Sequence, residues 1–529
     1  MDGKERKLHQ STDEGLNWRQ RYTTKVQTVA AITPAANQGR RRADNWINRG
    51  VVNTVDNMVA VDPANPLRIL VAMADRGVFA SADGGASFHQ YSFRFDTLQA
   101  FSAFMVAFDP VQPDVAYAGL KDALASAEGQ KVTGLFKGVF QPATQDWHWS
   151  LLAGGDGSLG GLPKEALPSA LAFSHDGAVM WLVARGFGSS TSASLGVWES
   201  RDSGVTWQQI GLSTRNVESI AAHPSNADIL LVGVRNGRGG QGMWRGLRSG
   251  GVWTFTSTKA LTAPKACYSV AFDASQPSVA YAAVGTSGAD PEDEMGIYKS
   301  TDGALTWVRQ MAFASGYAGR GVQSVAVTST GLCFASKAGD FDLPAALRRS
   351  PDGGAAWSTQ SPPFPEAGFL LATAGATPHL YASTAGMGLW RAPLSALTPA
   401  IEGWRQQYFG TTANSGDAAD TFDFDHDGLV NLLEWSCGLD PTLSSTLPTL
   451  VTRSGGDIEF IYTRSVSAVA AGAAYTVEWS DTLVANDWST TGVSQAELSN
   501  NGTLQQMKAT LPAGSLGRRF VRLRVASPP

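Results

Sequence analysis

The chain has 529 residues, with 41 Lys and Arg against 46 Asp and Glu and a net charge of −5, a balance that excludes a nucleic acid or an anionic membrane as the natural partner. Its 57 glycines and 16% charged residues favour a turn-rich β protein over a helical one, and no apolar run approaches the roughly 18 residues needed to span a bilayer. Cys267, Cys333 and Cys437 are too few and too scattered for a disulfide framework or a zinc site, and the first two lie in apolar strand patterns that predict buried thiols.

From the N-terminus, a polar segment leads into an eight-residue turn with Ser11, Asp13, Gly15 and Trp18 at its first, third, fifth and eighth places. The turn returns as Ser81/Asp83/Gly85/Phe88, Ser200/Asp202/Gly204/Trp207, Ser300/Asp302/Ala304/Trp307 and Ser350/Asp352/Gly354/Trp357. A short Asp folds its carboxylate back onto backbone N–H groups, Gly supplies positive φ, and the closing aromatic packs beneath the sheet. Each of these turns is therefore predicted to close a hairpin. Residues 23–46, with Arg40, Arg41 and Arg42, read as a solvated loop.

A second repeat precedes the turns: an apolar alternation, often Asp-Pro, a short turn, then another apolar strand. It runs from Val59-Ala-Val-Asp62-Pro to Leu371-Ala-Thr, and the interval is 47 residues from Asp62 to Asp109 and 50 from His223 to Asp273. A period near 50 with four short strands per unit is the signature of a β-propeller. Seven first halves are present, six followed by a second half, with degenerate turns at Gly138–Trp147 and Trp244–Trp253. The seventh is followed by Gly388-Leu-Trp-Arg391 but no Ser-Asp turn. The economical reading is an all-β, seven-bladed propeller over 1–398 in which the N-terminal strand completes the last blade. Alternatively, residues 7–22 are the tail of a lost upstream blade.

After residue 398 the composition changes. A helix is predicted over Pro399–Phe409, then Asp-rich residues 417–427, a second helix over Leu429–Cys437 and a capping Gly438. Ile458–Tyr462, Tyr475–Trp479, Leu504–Leu511 and Phe520–Arg524 alternate at period two, which predicts a small β-sandwich over 445–529. The spacer, 399–444, holds Asp423-Phe-Asp425-His-Asp427-Gly428-Leu429-Val-Asn431-Leu-Leu-Glu434. That matches the calcium-loop template at every constrained position: carboxylates at the first, third and fifth places, the Leu429 carbonyl at the seventh, Asn431 at the ninth and a bidentate Glu434 at the twelfth. Ca²⁺ is the expected cofactor. In a propeller the binding face is built from the connections between fourth and first strands and from those between second and third strands. These are expanded at Lys121–Thr133, Arg185–Ser194, Arg235–Gln241, Gly285–Glu294 and Lys337–Pro344. The candidate rim residues are Asp75, Arg76, Arg185, Arg235, Asp290, Glu292, Asp340 and Asp342, a mixed-charge set suited to glycans or peptides. The turn aspartates recur on the opposite face and are structural.

The Ser-x-Asp-x-Gly-x-x-Trp turn resembles the Asp-box, or bacterial neuraminidase repeat, of sialidases, sortilin-type receptors and xyloglucan-cleaving glycosidases. Leu70-Val-Ala-Met-Ala-Asp75-Arg76-Gly77 resembles the first-blade segment of the xyloglucan-active enzymes, which implies Asp75 as one of two catalytic acids. Those enzymes use two propellers where this chain has one, no second carboxylate can be placed, and the Arg-Ile-Pro signature of sialidases is absent. The calcium loop resembles those of dockerins and of spacers in bacterial surface proteins, but it is single where dockerins carry two. These resemblances imply an extracellular or cell-surface protein whose N-terminus is truncated or mis-set. The expected function is recognition of an extracellular polysaccharide or protein through the rim, the alternative a glycoside hydrolase acting on a β-glucan. A third option is a purely structural surface protein whose C-terminal unit serves in sorting or attachment.

Overall fold

A computed structural model describes short strands between residues 9 and 48, then 56–92, 102–124, 131–185, 196–235, 241–286, 294–312, 322–328, 333–337, 347–360, 369–373, 378–383, 389–394 and 399–527, apart from a few internal positions including 75, 156–158 and 485–486. The chain divides into two compact units, Met1–Pro393 and Leu394–Pro529.

In the first unit, among the described residues, seven antiparallel sheets follow one another, each built in chain order from an inner strand outward. The inner strands are Asp56–Val61, Ser102–Phe108, Leu167–Phe173, Val217–His223, Lys265–Phe272, Val322–Val327 and Phe369–Ala372. Each contacts the next, and the last contacts the first, so the sheets form a closed ring. The apolar side of each strand pattern ends up between neighbouring sheets. Leu70, Val106 and Trp149 pack between the first two, and Trp181, Val217 and Val232 between the third and fourth. At the seam, Tyr381 of the seventh sheet is buried against Val59, Ile69, Val71 and Met73 of the first. Cys267 and Cys333 are buried and free, as expected, Cys437 is buried and free as well, and burial pushes the Cys333 thiol up to about 12.

The Ser-Asp turns close hairpins by the anticipated mechanism. Ser200 Oγ donates to Asp202 Oδ1 at 2.8 Å and accepts from Gly204 N at 2.9 Å, while Asp202 accepts from Thr206 N at 2.8 Å and from Thr206 Oγ1 at 2.6 Å. The same bonds recur around Asp83 and Asp302, and the Ser350 turn keeps its serine pair. The fourth residue of three turns is a glycine with positive φ, Gly84 at 71°, Gly303 at 72° and Gly353 at 64°, which turns its carbonyl outward. A cation of the preceding sheet takes that carbonyl. Arg245 Nε donates to Gly303 O at 3.0 Å, Lys299 Nζ to Gly353 O at 2.6 Å, and Arg391 Nη1 of the seventh sheet to Gly84 O of the first.

These hydrogen bonds predict an acid response. The Thr306 hydroxyl and the turn N–H groups hold the Asp302 carboxyl down to about 2. A depressed folded value gives stability that is present above the unfolded value near 3.9 and lost as pH falls towards about 2. Asp302→Asn is expected to lower stability at pH 6 by about 1 kcal/mol, allowing for the exposure of the turn, and to match the parent at pH 2. Urea unfolding at both pH values checks it; an equal loss at both would refute the electrostatic origin.

The N-terminal strands do not complete the seventh sheet among the described residues. His9–Gln10 pairs with Arg19–Gln20, Thr23–Gln27 with Asn45–Asn48, and Arg40–Arg41 adds to the outer strand of the first sheet. Arg40 and Arg41, expected in a loop, are therefore in an edge strand. The seventh sheet has three described strands, ending at Leu389–Pro393.

One irregularity recurs. Near the start of an inner strand, the pairing register skips one residue: Asn57, Phe104, Ser169, Glu218, Tyr268 and Gln323 stand opposite nothing in the first six sheets. Each is a β-bulge, which bends the strand and re-aims the extra residue.

In the second unit, the helix Ala400–Phe409 and the helix Asn431–Cys437 flank the Asp-rich loop. The second begins two residues later than its apolar pattern suggests, because Val430 is extended (φ −85°, ψ 153°) and the Leu429 N–H is spent on Asp427 Oδ1 at 2.8 Å. Past residue 445, one sheet runs in the order Thr449–Ser454, Asp457–Ser465, Leu504–Leu511, Ser494–Asn500, and Ala474–Ser480 pairs with Phe520–Ala526. Ile458, Phe460, Tyr462, Val477 and Leu511 form its core. A second cluster, Ile401, Trp435, Ala468 and Ala473, joins the helical segment to the sheets, so residues 399–444 and 445–529 share apolar contacts within one unit.

Candidate metal centre and binding rim

The Asp-rich loop is tied at both ends: Asn431 N donates to Phe422 O at 2.8 Å and Leu432 N to Asp420 O at 3.1 Å. Gly428, at φ 93°, makes the sharp turn between. The carboxylates of Asp423, Asp425 and Asp427 then converge, offering oxygens within 4.8 Å of one another. Asp423 accepts from Gly428 N at 2.9 Å, and Asp427 Oδ2 accepts from Ser445 N at 2.6 Å. Below them the helix buries Asn431 and Glu434, which are 1% and 0% exposed. The Asn431 amide donates to Asp417 O at 2.9 Å and Ala419 O at 2.8 Å, which fixes its orientation and leaves Oδ1 without a partner.

Asp425 Oδ2, Asn431 Oδ1 and both carboxylate oxygens of Glu434 are buried and unsatisfied. These orphaned acceptors are all oxygen and lie in the stretch that carries the three converging carboxylates, the donor chemistry of a hard divalent cation. Burial first, then the charges of Asp425, Asp427 and Asp423, pushes the Glu434 carboxyl up to about 7 when no cation is present.

The rim residues divide. Asp75, Asp290, Glu292, Asp340 and Asp342 lie outside the described residues. Arg76 is half-buried, burial lowers its pKa, and its carbonyl accepts from Gln90 Nε2 at 2.8 Å. Arg185 and Arg235, 50 positions apart at corresponding ends of their second strands, are brought together by a residue the sequence reading did not single out. Arg185 Nη1 donates to Glu218 Oε1 at 3.0 Å, and Arg235 Nη1 lies 3.6 Å from Glu218 Oε2. The Arg185 guanidinium sits 4.8 Å over the Phe104 ring and that of Arg235 5.5 Å over Tyr268. Phe104, Glu218 and Tyr268 are three of the bulged residues, placed by the pairing register of two strands rather than by any motif.

Strand pairing fixes which end of the ring this is. Leu167 pairs with Arg185 and Val217 with Val234, so inner-strand starts and expanded connections share one end. Gly84 N and Gly303 N bond to Leu67 O and Ser278 O of the first-to-second strand turns, so the Ser-Asp turns lie at the other.

No protein-family profile matches the sequence, and no curated protein matches it at a significant level. Among solved structures, the chain is similar to an ancestral GH74 enzyme at 20% identity and a TM-score of 0.55, over 72% of this chain and 52% of that one. It thus spans about half of that enzyme's length. A Hadza microbial sialidase aligns at 13% identity and a TM-score of 0.38, over 62% of this chain and 74% of that one, and YCF48 from Cyanidioschyzon merolae at 15% and 0.41, over 64% and 96%. Nothing further rests on those two. The likeness to the GH74 enzyme is one of fold, that of an all-β propeller.

Proposed function

We propose that the chain is an exported modular protein: a seven-bladed Asp-box β-propeller over 1–398 that recognises an extracellular glycan or protein, a spacer over 399–444 that holds structural calcium, and a β-sandwich over 445–529 available for surface attachment. The observation that carries the recognition role is the pair of guanidiniums on Glu218, each over an aromatic ring, at the end of the ring where the expanded connections emerge. Aromatic faces and forked donors are what sugar hydroxyls and peptide groups bind. The blade count is supported by the cycle of seven inner strands. Among the described residues no helix is long and apolar enough to cross a membrane.

For the spacer, Asp423, Asp425, Asp427, Asn431, Glu434 and the Leu429 carbonyl would hold the calcium. The ion's chemistry is charge neutralisation, which lets Glu434 remain ionised in a buried place.

The second reading, a glycoside hydrolase acting on a β-glucan with Asp75 as one acid, is favoured by the fold shared with a GH74 enzyme. The two are separated by presenting the full chain with xyloglucan and related β-glucans, measuring retention and reducing-end release in parallel. Retention without release is expected. Release abolished by Asp75→Ala would establish the hydrolase, and neither retention nor release across a broad glycan panel would leave a protein partner.

A further inference from the structure

The inner-strand bulges form a series. In six successive sheets one extra residue stands at the same point of the inner strand, and around the ring these read Asn57, Phe104, Ser169, Glu218, Tyr268 and Gln323. The fold places them as a collar at the end from which the expanded connections emerge. Bulges are kept where a side chain must be re-aimed. Three are tied to one another through Arg185 and Arg235.

The charge of that assembly points to its ligand. Two guanidiniums share one carboxylate, which leaves a net charge of about +1 on a chain whose overall charge is −5. Both oxygens of Glu218 are engaged, so it fixes the guanidinium planes. Among the described residues, the Arg185 side chain spends one of its five N–H donors on Glu218, while that of Arg235, 37% exposed, makes an ion pair at 3.6 Å without a hydrogen bond. Guanidiniums lodged over aromatic rings, with N–H donors unspent among the described residues, suit bidentate capture of a carboxylate.

From this we infer that the collar is a subsite for a carboxylate-bearing sugar, a uronate unit within the glycan, with Arg235 and Arg185 as its anion-binding donors and Glu218 as their positioning residue. The inference rests on the glycan reading of the rim and narrows it to an acidic class.

The test uses the full chain, calcium held saturating and constant, titrated calorimetrically with xylo-oligosaccharides bearing glucuronate and with the same oligomers after reduction of the carboxyl to an alcohol. The acidic form is expected to bind at least about tenfold more tightly, the value of one charge-assisted bidentate contact, with the difference shrinking as salt rises. Arg235→Gln and Arg185→Gln should erase the discrimination while each variant still unfolds cooperatively, whereas Tyr268→Phe should preserve it. Equal binding of both forms, or discrimination that survives both arginine variants, overturns the acidic assignment and leaves the glycan reading standing. Failure of both forms while a neutral glycan binds does the same. Failure of every glycan removes the reading beneath it as well.

Discussion

Calcium at about a hundred times its dissociation constant is expected to stabilise the C-terminal unit by about 2.7 kcal/mol, and Glu434→Gln to cancel that gain. Glu434 is fully buried with neither oxygen satisfied, beside three carboxylates with oxygens within 4.8 Å of one another. Burying an uncompensated carboxylate is costly, so without a cation the group takes up a proton, its pKa pushed up to about 7. A raised carboxyl gives stability that is full below the unfolded value near 4.3 and lost as pH rises through about 7. The calcium-free chain is therefore expected to melt lower at pH 8 than at pH 5. Calcium should reverse the order, and Glu434→Gln, which keeps the shape without the charge, should flatten it. Asp425→Ala should abolish calcium binding outright, Asp425 Oδ2 being another of the orphaned acceptors. Scanning calorimetry with and without chelator at the two pH values, with titration calorimetry beside it, checks all of this. Absence of a calcium-dependent heat in the parent chain would remove the metal from the account.

Tyr381→Ala is expected to cost about 3 to 5 kcal/mol, the range for deleting a large buried aromatic. Six of the seven junctions between sheets join neighbours in sequence, and local connection helps to hold them. The seam between the seventh and first sheets has no such help. It depends on Tyr381, 3% exposed among Val59, Ile69, Val71 and Met73, and on Arg391, whose guanidinium reaches the Gly84 carbonyl. Arg391→Met should lose about 1.5 to 3 kcal/mol, as for a hydrogen bond from a charged donor. Urea unfolding followed by tryptophan fluorescence measures both. A loss below about 1 kcal/mol for Tyr381→Ala would mean that this junction does not hold the ring together.

The propeller was legible because its period is long, its strands alternate and its turns carry a chemical signature: Ser, Asp and Gly each perform a hydrogen bond or a backbone angle that few other residues supply. The convergence of Asp423, Asp425 and Asp427 was legible for the same reason. Two strands of the C-terminal unit, Thr449–Ser454 and Ser494–Asn500, were missed because every residue in them is exposed, and an edge strand with no buried face leaves no alternation to read. Glu218 was missed because it lies within a strand, where a charged residue reads as solvent-facing. Only the register slip between Val217 and Ser219 turns it towards Arg185 and Arg235, and register is a property of two strands together. The latch cations Arg245, Lys299 and Arg391 escaped notice likewise, since their partners are carbonyls of the next sheet.

The claim that most needs testing is that the face carrying the inner-strand starts is the binding face. Hydrogen–deuterium exchange of the full chain, with and without a saturating glycan selected by retention, reads this directly. The account predicts protection in peptides spanning 102–106, 215–220 and 265–270, with the Ser-Asp turns at 81–88, 200–207 and 300–307 unchanged. Protection confined to those turns would place the ligand on the opposite face and contradict it.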